Sequence, residues 1–173
     1  MKKVIIAGFA GVGKSMLAKK YSNVIDLEIM DYKWDYTKEI PEIEKRKGSQ
    51  NKKRKEEWPN NYLAAIKEAF DKYDIVLIST DNEIIDLLDE NGIDYIICFP
   101  KRECKNEYME RYRLRENTEE FIARVGDTFE DLLQGLEQRR NKKIVLNSKE
   151  TLESKLLELT IDRKKMDEDN QER

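Results

Sequence analysis

The feature that constrains this chain most is an eight-residue motif near its start, Gly8-Phe9-Ala10-Gly11-Val12-Gly13-Lys14-Ser15. It satisfies the Walker A pattern G-x-x-x-x-G-K-[ST] and stands between a short apolar run and a segment with helical spacing, which is the context that the pattern requires. The glycines allow successive backbone N–H groups to curl round an anion, and the following helix directs its positive end at the same point. The sequence therefore predicts a phosphate-binding loop for a nucleoside triphosphate.

Each functional position of this motif has an expected role. Lys14 is expected to reach the β and γ phosphates and to act in catalysis, and the Ser15 hydroxyl to bind Mg²⁺. ATP and Mg²⁺ are accordingly the expected cofactors. The residues expected to hold the nucleotide here are Gly8, Gly11, Val12, Gly13, Lys14, Ser15 and Met16.

The composition excludes several kinds of chemistry. The 173 residues include no histidine, so a Ser-His-Asp triad and a zinc site that depends on imidazole are excluded. Charged residues make up 40 % of the chain, but 33 basic and 36 acidic residues leave a net charge of −3, which disfavours a polycation built for nucleic acid. Cys98 and Cys104 lack metal-site spacing. With no signal-peptide pattern and no apolar run near 18 residues, we expect a cytoplasmic protein without a membrane partner.

Short apolar runs indicate a parallel sheet. They are continuous rather than alternating, which is typical of strands covered on both faces, and segments with helical spacing separate them. The runs fall at 4–7, 75–78, 95–99 and 144–146, with a weaker one at 24–27. Strands that alternate with helices predict an α/β fold with right-handed crossovers. We expect one domain over residues 1–160 and a charged, disordered tail at 161–173.

Elements beyond the motif distinguish among proteins with such a loop. Asn141-Lys142-Lys143-Ile144 precedes a strand and lacks the aspartate of N-K-x-D, which disfavours a guanine-specific GTPase. The run at 75–78 ends in Ser79-Thr80-Asp81 rather than Asp-Glu, which disfavours a motor ATPase. The chain instead resembles the small P-loop kinases of the nucleoside-monophosphate and shikimate kinase group, and bacterial and phage proteins described as adenylate-kinase-like. Besides the motif, the resemblance rests on Trp58-Pro59-Asn60-Asn61-Tyr62, on Glu107-Tyr108 with Arg111-Tyr112 and Arg115, and on Phe121-Ile122.

This resemblance implies a P-loop three-layer fold. Its five-stranded parallel sheet has helices on both faces, an acceptor-binding segment after the second strand and a lid after the fourth. In this chain the corresponding insertions are an excursion at about 31–62 and a helical lid at about 101–117. The resemblance also implies that Asn147 lies where adenine packs against the backbone. The alternative for Asn147 is a turn that caps the next helix.

The lid segment carries arginines with a distinctive spacing. In a helix from about 103 to 116, Arg111 and Arg115 share a face, whereas Arg113 lies about 200° from Arg111. Phosphoryl transfer needs cations round the migrating group, so we expect Arg111 and Arg115 to converge on one phosphate chain as catalytic residues. The alternative is a solvated helix in which Glu107 pairs with Arg111.

Three carboxylates are candidates for the metal and the acceptor. Asp26-Leu27-Glu28 resembles the D-x-D of shikimate-type kinases, and alternate residues on a strand point the same way. Asp26 is expected to serve Mg²⁺ or act as a base, and Glu28 to hold an acceptor hydroxyl. Asp81, after the run at 75–78, is a second candidate for Mg²⁺. Ordinary acidic residues at strand ends are the alternative.

The excursion combines aromatic and basic residues. Trp34, Trp58 and Tyr62 are candidates for stacking on the substrate, with a core position as the alternative. Seven of the eleven residues at 45–55 are basic, and acidic neighbours favour a solvated loop over a nucleic-acid patch.

Together these features predict an ATP-dependent phosphotransferase that acts on a small nucleotide or nucleoside. One alternative is an ATP-binding sensor or a slow ATPase. Another is a polynucleotide end kinase that grips its strand with the basic segment at 45–55, for which the expected mark is a steep salt dependence. The sequence leaves the oligomeric state open.

Overall fold

The computed structural model describes residues 2–157, and its framework is a five-stranded parallel sheet flanked by helices. The strands are β1 (Val4–Gly8), β2 (Val24–Asp26), β3 (Trp34–Tyr36), β4 (Lys52–Arg54), β5 (Ile75–Ser79), β6 (Ile96–Pro100) and β7 (Lys143–Leu146). The parallel sheet has the order β2-β5-β1-β6-β7, and it uses all five apolar runs. The predicted α/β fold with a five-stranded parallel sheet is confirmed.

Within residues 2–157, α-helices connect and cover these strands. They are α1 (Lys14–Lys20), α2 (Met30–Lys33), α3 (Ile43–Arg46), α4 (Asn60–Lys72), α5 (Asn82–Glu90), α6 (Lys105–Leu114) and α7 (Glu119–Glu137). A 3-10 turn, Arg102–Cys104, leads into α6, and residues 152–157 are also helical. No helix within residues 2–157 has both the length and the apolar character needed to cross a membrane.

Helix α5 is absent from the sequence-based expectations, although its signal is present. Asp81 caps the helix by accepting a hydrogen bond from the Glu83 N–H, and Ile84, Ile85 and Leu88 are buried at helical spacing. Such a capping acid followed by an apolar stripe is a recognisable helix start.

The excursion after β2 is folded rather than a simple solvated loop. Its strands β3 and β4 form an antiparallel hairpin, in which Tyr36 lies opposite Lys52. The intervening residues, including α3, contact the turn between α6 and α7. The tail predicted at 161–173 lies outside the described residues.

Substitution of Phe129 tests how α7 is anchored. Its buried ring meets Phe9 edge-on at a centroid distance of 5.6 Å, so Phe129→Ala should lower the free energy of unfolding by about 3–5 kcal/mol. Leu132 belongs to the same apolar stripe but is 38 % exposed, so Leu132→Ala should cost about 1 kcal/mol or less. Urea unfolding measures both, and equal losses would contradict this account of the helix face.

Candidate functional site

A cleft of about 370 Å³ opens at the carboxyl ends of β1, β2 and β5. The connection after β1 leads to β2 at one edge of the sheet, whereas the connection after β5 crosses β1 and leads to β6. Adjacent strands whose connections run in opposite directions form a topological switch point, where ligands bind in open α/β sheets. The sheet order alone therefore makes this cleft the candidate site.

Residues 8–15, which we call the glycine-rich loop, border the cleft through Phe9, Ala10, Lys14 and Ser15. Gly11 and Gly13 have φ values of +94° and +99°, a region that glycine enters without steric cost. No hydrogen bond among residues 2–157 uses the N–H of Gly11 or of residues 13–16. These N–H groups and the start of α1 make the loop suited to an anion.

Lys14 lies over this loop. Its Nζ donates a hydrogen bond to the Gly8 carbonyl oxygen at 2.6 Å. Burial lowers the pKa of Lys14, and the carboxylates of Asp26 and Glu28 oppose that shift. The result is a desolvated cation beside the unpaired N–H groups.

Ser15 and Asp26 bring two hard oxygen donors together. The Ser15 hydroxyl donates to Asp26 Oδ2 at 3.0 Å, while Asp26 Oδ1 is buried without a hydrogen-bond partner in the described part of the chain. Such oxygens suit Mg²⁺. Asp81 lines the same cleft, where it also caps α5 and pairs with Lys33 at 2.7 Å. No cluster of three or more His, Cys, Asp or Glu residues suited to a metal occurs within residues 2–157.

Glu28 lines the same cleft as Asp26, although β2 ends at Asp26 and Glu28 lies two residues beyond the strand. Burial raises the pKa of Glu28, and the neighbouring Asp26 raises it further. Lys47 and Lys14 partly offset this shift. Glu28 is therefore a partly buried carboxyl group that gains from a hydrogen-bonding ligand.

Cations outnumber carboxylates on the walls of the cleft. The cations are Lys14, Lys33, Arg46, Lys47, Lys52, Arg115 and Arg124, against Asp26, Glu28 and Asp81. Three have strong ion pairs: Lys33 with Asp81, Arg46 with Asp31, and Lys47 with Glu44. Among the described residues, Lys14, Lys52 and Arg124 have no carboxylate within 4 Å. The cleft is therefore electropositive and suited to anions.

The predicted aromatic contacts divide between cleft and core. Trp34 lines the cleft, with the Lys52 ammonium 4.4 Å from its ring centroid. Trp58 and Tyr62 are instead buried and pack against each other at 5.7 Å, and the Tyr62 hydroxyl donates to the Leu27 carbonyl at 2.6 Å. Both rings are used in the core, so the structure gives no support to their predicted substrate contact.

The arginines after β6 do not converge on one point. Arg115 lines the cleft, but Arg111 donates to the Gly11 carbonyl at 2.7 Å and to the Glu150 carbonyl at 3.3 Å. Arg113 is exposed and pairs with Glu110, on the outside as the helix phase predicts. Arg111 lies 4.5 Å above the Tyr108 ring, and this contact directs it behind the glycine-rich loop.

The segment at 147–151 packs beside the same loop. The Leu152 N–H donates to the Val12 carbonyl at 2.9 Å, which joins the helical residues 152–157 to the loop. Asn147 accordingly lies in a turn before a helix, with its N–H donating to Glu150 Oε2 at 2.6 Å. Val12 is buried, whereas Met16 is 72 % exposed and faces away from the core.

A connection that the sequence does not reveal joins the excursion to the α6–α7 turn. Glu44 accepts hydrogen bonds from Lys47 and Asn117, at 2.9 and 2.8 Å, and lies 3.8 Å from Arg115. The Thr118 hydroxyl donates to the Lys47 carbonyl at 3.1 Å. These contacts, which we call the Glu44 latch, cover one side of the cleft. No sequence spacing marks the contacts of Asn117 and Thr118 with the excursion, because they join residues 73 and 71 positions apart.

Comparison with known proteins returned no match among family models and none among curated proteins.

The Glu44 latch makes a pH-dependent contribution to stability. Burial raises the pKa of Glu44, but the Lys47 hydrogen bond and the nearby cations more than offset this effect, so the pKa lies below its ordinary value. The stabilisation is therefore present above the ordinary pKa and is lost as the pH falls through the folded-state pKa. Glu44→Gln should cost about 1 kcal/mol at pH 7 and almost nothing near pH 3.

Urea unfolding at several pH values measures this difference. Glu42→Gln is the control, because Glu42 is on the same segment but its pair with Lys45 is 3.6 Å long and exposed. A Glu44→Gln effect that does not change with pH would contradict the ionic role of the latch.

Proposed function

We propose that this protein is a P-loop kinase, an ATP-dependent phosphotransferase whose acceptor is a small nucleotide. The observation that carries the proposal is that Lys14, the Ser15–Asp26 pair and two further unpaired cations, Lys52 and Arg124, line one cleft. This cleft is bordered by the glycine-rich loop, several of whose N–H groups have no partner among residues 2–157. The loop, Lys14 and the Ser15–Asp26 pair suit the triphosphate of a donor. Lys52 and Arg124 suit a separate anion.

The donor would lie along the glycine-rich loop. Its N–H groups would bind the phosphate oxygens, and Lys14 would add charge near the transferred group. The segment at 147–151, including Asn147, adjoins the loop through the Leu152–Val12 hydrogen bond and offers backbone for an adenine. Ser15 and Asp26 would hold Mg²⁺, which neutralises phosphate charge when bound.

The acceptor side favours a nucleotide over a nucleoside. Lys52 comes from the hairpin and Arg124 from α7, and neither has an ion pair among residues 2–157. Burial lowers the pKa of Lys52, and the nearby Arg124 and Lys33 lower it further. Two neighbouring cations repel each other until an anion lies between them. A phosphate on the acceptor would relieve that repulsion, and the Trp34 ring beside Lys52 offers a surface for a base.

Transfer of the phosphoryl group from donor to acceptor would depend mainly on the positions of the reacting groups and on neutralisation of their charge. An oxygen of the acceptor phosphate attacks the γ phosphorus, and the bond to the departing ADP oxygen breaks. A phosphate acceptor is already a nucleophile at neutral pH, so no strong base is required. Arg115 faces the cleft and would add a cation near the migrating group, while the excursion and the α6–α7 turn limit access of water.

The basic segment at 45–55 argues against a polynucleotide acceptor. Arg46, Lys47 and Lys52 face the cleft, where a small ligand would meet them. Most of the outward-facing cations have acidic neighbours: Lys45 with Glu42, Arg54 with Glu83 and Lys55 with Asp35. Cations that are already paired contribute less to a nucleic-acid surface.

A substrate screen tests the proposed function. The protein is incubated with ATP·Mg²⁺ and a set of nucleosides, nucleoside monophosphates and 5′-hydroxyl oligonucleotides, and both ADP and phosphorylated product are measured. Product from a monophosphate supports the proposal. Free phosphate without product indicates the ATPase or sensor alternative, and product from oligonucleotides alone, lost as salt rises, indicates the end-kinase alternative.

Lys14→Ala should reduce turnover by about 10²–10³-fold, because it removes a desolvated cation beside the transferred phosphoryl group. Circular dichroism and the unfolding midpoint check that the fold is retained. Lys19→Ala, on the exposed end of α1, is the control and should leave turnover unchanged. Near-normal turnover in Lys14→Ala would remove Lys14 from the reaction.

Lys52→Ala and Arg124→Ala should each raise the KM for the acceptor about tenfold, which corresponds to about 1.4 kcal/mol, with little change in the KM for ATP. Lys53 is the neighbour of Lys52 but points away from the cleft, so Lys53→Ala is the matched control. If all three variants have the wild-type acceptor KM, the acceptor phosphate does not bind between Lys52 and Arg124.

A further inference from the structure

Helix α6 packs against the outer side of the glycine-rich loop, and we propose that Tyr112 is a positioning residue that orients the Gly11 N–H toward the nucleotide. It acts through the Ala10 carbonyl and does not itself touch the nucleotide. The inference rests on the proposed function, since it explains how the loop of that site keeps the shape that phosphate binding requires.

Tyr112 makes a direct hydrogen bond to this loop. Its side chain is fully buried, and its hydroxyl donates to the Ala10 carbonyl oxygen at 2.6 Å. The ring also limits the space behind Gly11, because a Cβ added there would lie 3.2 Å from the Tyr112 ring and 3.0 Å from that of Tyr108. Both rings therefore border the outer side of the loop, and of the two tyrosines only Tyr112 forms a hydrogen bond to it.

The hydrogen bond to Ala10 sets the direction of the next N–H group. In a trans peptide the C=O and N–H bonds point in opposite directions. Because the Ala10 carbonyl points to Tyr112, the Gly11 N–H points away from α6, and no hydrogen bond among residues 2–157 uses it.

The neighbouring peptide follows the same arrangement. From the α6 side, Arg111 donates a hydrogen bond to the Gly11 carbonyl at 2.7 Å. The Val12 N–H points the other way, across the loop, and donates to the Phe9 carbonyl at 3.2 Å. Two consecutive carbonyls are thus held outward by two consecutive side chains of one helix. Arg111 contributes to the same positioning, since its guanidinium donates to the Gly11 and Glu150 carbonyls and lies 3.5 Å from Glu107 Oε1.

This restraint matters because glycine alone does not fix the orientation of the peptide. Gly11 adopts a φ of +94°, and glycine has access to both signs of φ at little cost. If the peptide between Ala10 and Gly11 turned over, a carbonyl oxygen would replace the N–H group at the anion site. The Tyr112 hydroxyl therefore determines whether this position attracts or repels a phosphate, which is electrostatic preorganisation.

Tyr112→Phe tests this role, because it removes one hydroxyl and keeps the ring. Tyr108→Phe is the matched control on the same helix: its ring also borders Gly11, but its hydroxyl has no hydrogen-bond partner among the described residues. Tyr95→Phe controls for the loss of a hydrogen bond elsewhere, since the Tyr95 hydroxyl donates to Asp89 at 2.8 Å, remote from the loop. The probe is ATP·Mg²⁺ without any acceptor, titrated by calorimetry.

We expect Tyr112→Phe to raise the Kd for ATP about tenfold, while both control variants stay within about twofold of the wild type. The ¹H–¹⁵N spectrum supplies a second readout that general destabilisation would not move. In the wild type the Gly11 amide proton should shift downfield when ATP binds, and in Tyr112→Phe this shift should be strongly reduced.

Two results would overturn the inference. If the wild type binds ATP and Tyr112→Phe binds it equally well, with the same Gly11 shift, Tyr112 does not position the loop, and the proposed function is unaffected. If the loss in Tyr112→Phe is matched by Tyr95→Phe, the effect is one of general stability. A wild-type chain that binds no ATP would contradict the proposed function itself, and the positioning role with it.

Discussion

The unpaired N–H groups of the glycine-rich loop are the constraint on which the rest of the site depends. Several N–H groups of this one short loop have no acceptor among residues 2–157, and an anion can satisfy several such groups together. The parallel sheet puts this loop at a switch point, and α6 holds its carbonyls outward through Tyr112 and Arg111. Strand order, the packing of α6 and the orientation of the peptides thus all determine where the N–H groups of this loop lie.

The charge distribution of the cleft also suits an anion. A net charge of −3 over the whole chain conceals a local excess of cations at one point, where segments distant in sequence meet. Lys14 comes from the loop, Lys52 from the hairpin and Arg124 from α7. Mutual repulsion makes such a group unfavourable in the folded protein unless it binds an anion, and this favours a functional role over a structural one.

The excursion and the α6–α7 turn give the cleft its cover. Glu44 is the centre of this contact, because its carboxylate and its carbonyl both meet Asn117 while Lys47 pairs with it from the same segment. The Glu44 latch joins two regions that also meet where Lys47 lies 5.8 Å from the centroid of the Phe121 ring. Arg115 lies 3.8 Å from Glu44 and lines the cleft, whereas Arg111, one turn earlier, donates to the Gly11 carbonyl of the loop.

The sequence by itself determined the parallel sheet and the glycine-rich loop, because both rest on local patterns: continuous apolar runs for strands covered on both faces, and one motif in register between a strand and a helix. Asp26 and Glu28 both line the cleft, but β2 ends at Asp26, so alternation along a strand does not extend to Glu28. Only the tertiary structure decided the rest. Trp58 and Tyr62 carry the same aromatic signal as Trp34, yet two rings pack in the core and one lines the cleft. Whether a ring is buried, or whether an arginine meets a carbonyl or an open cleft, depends on long-range packing that no local spacing encodes.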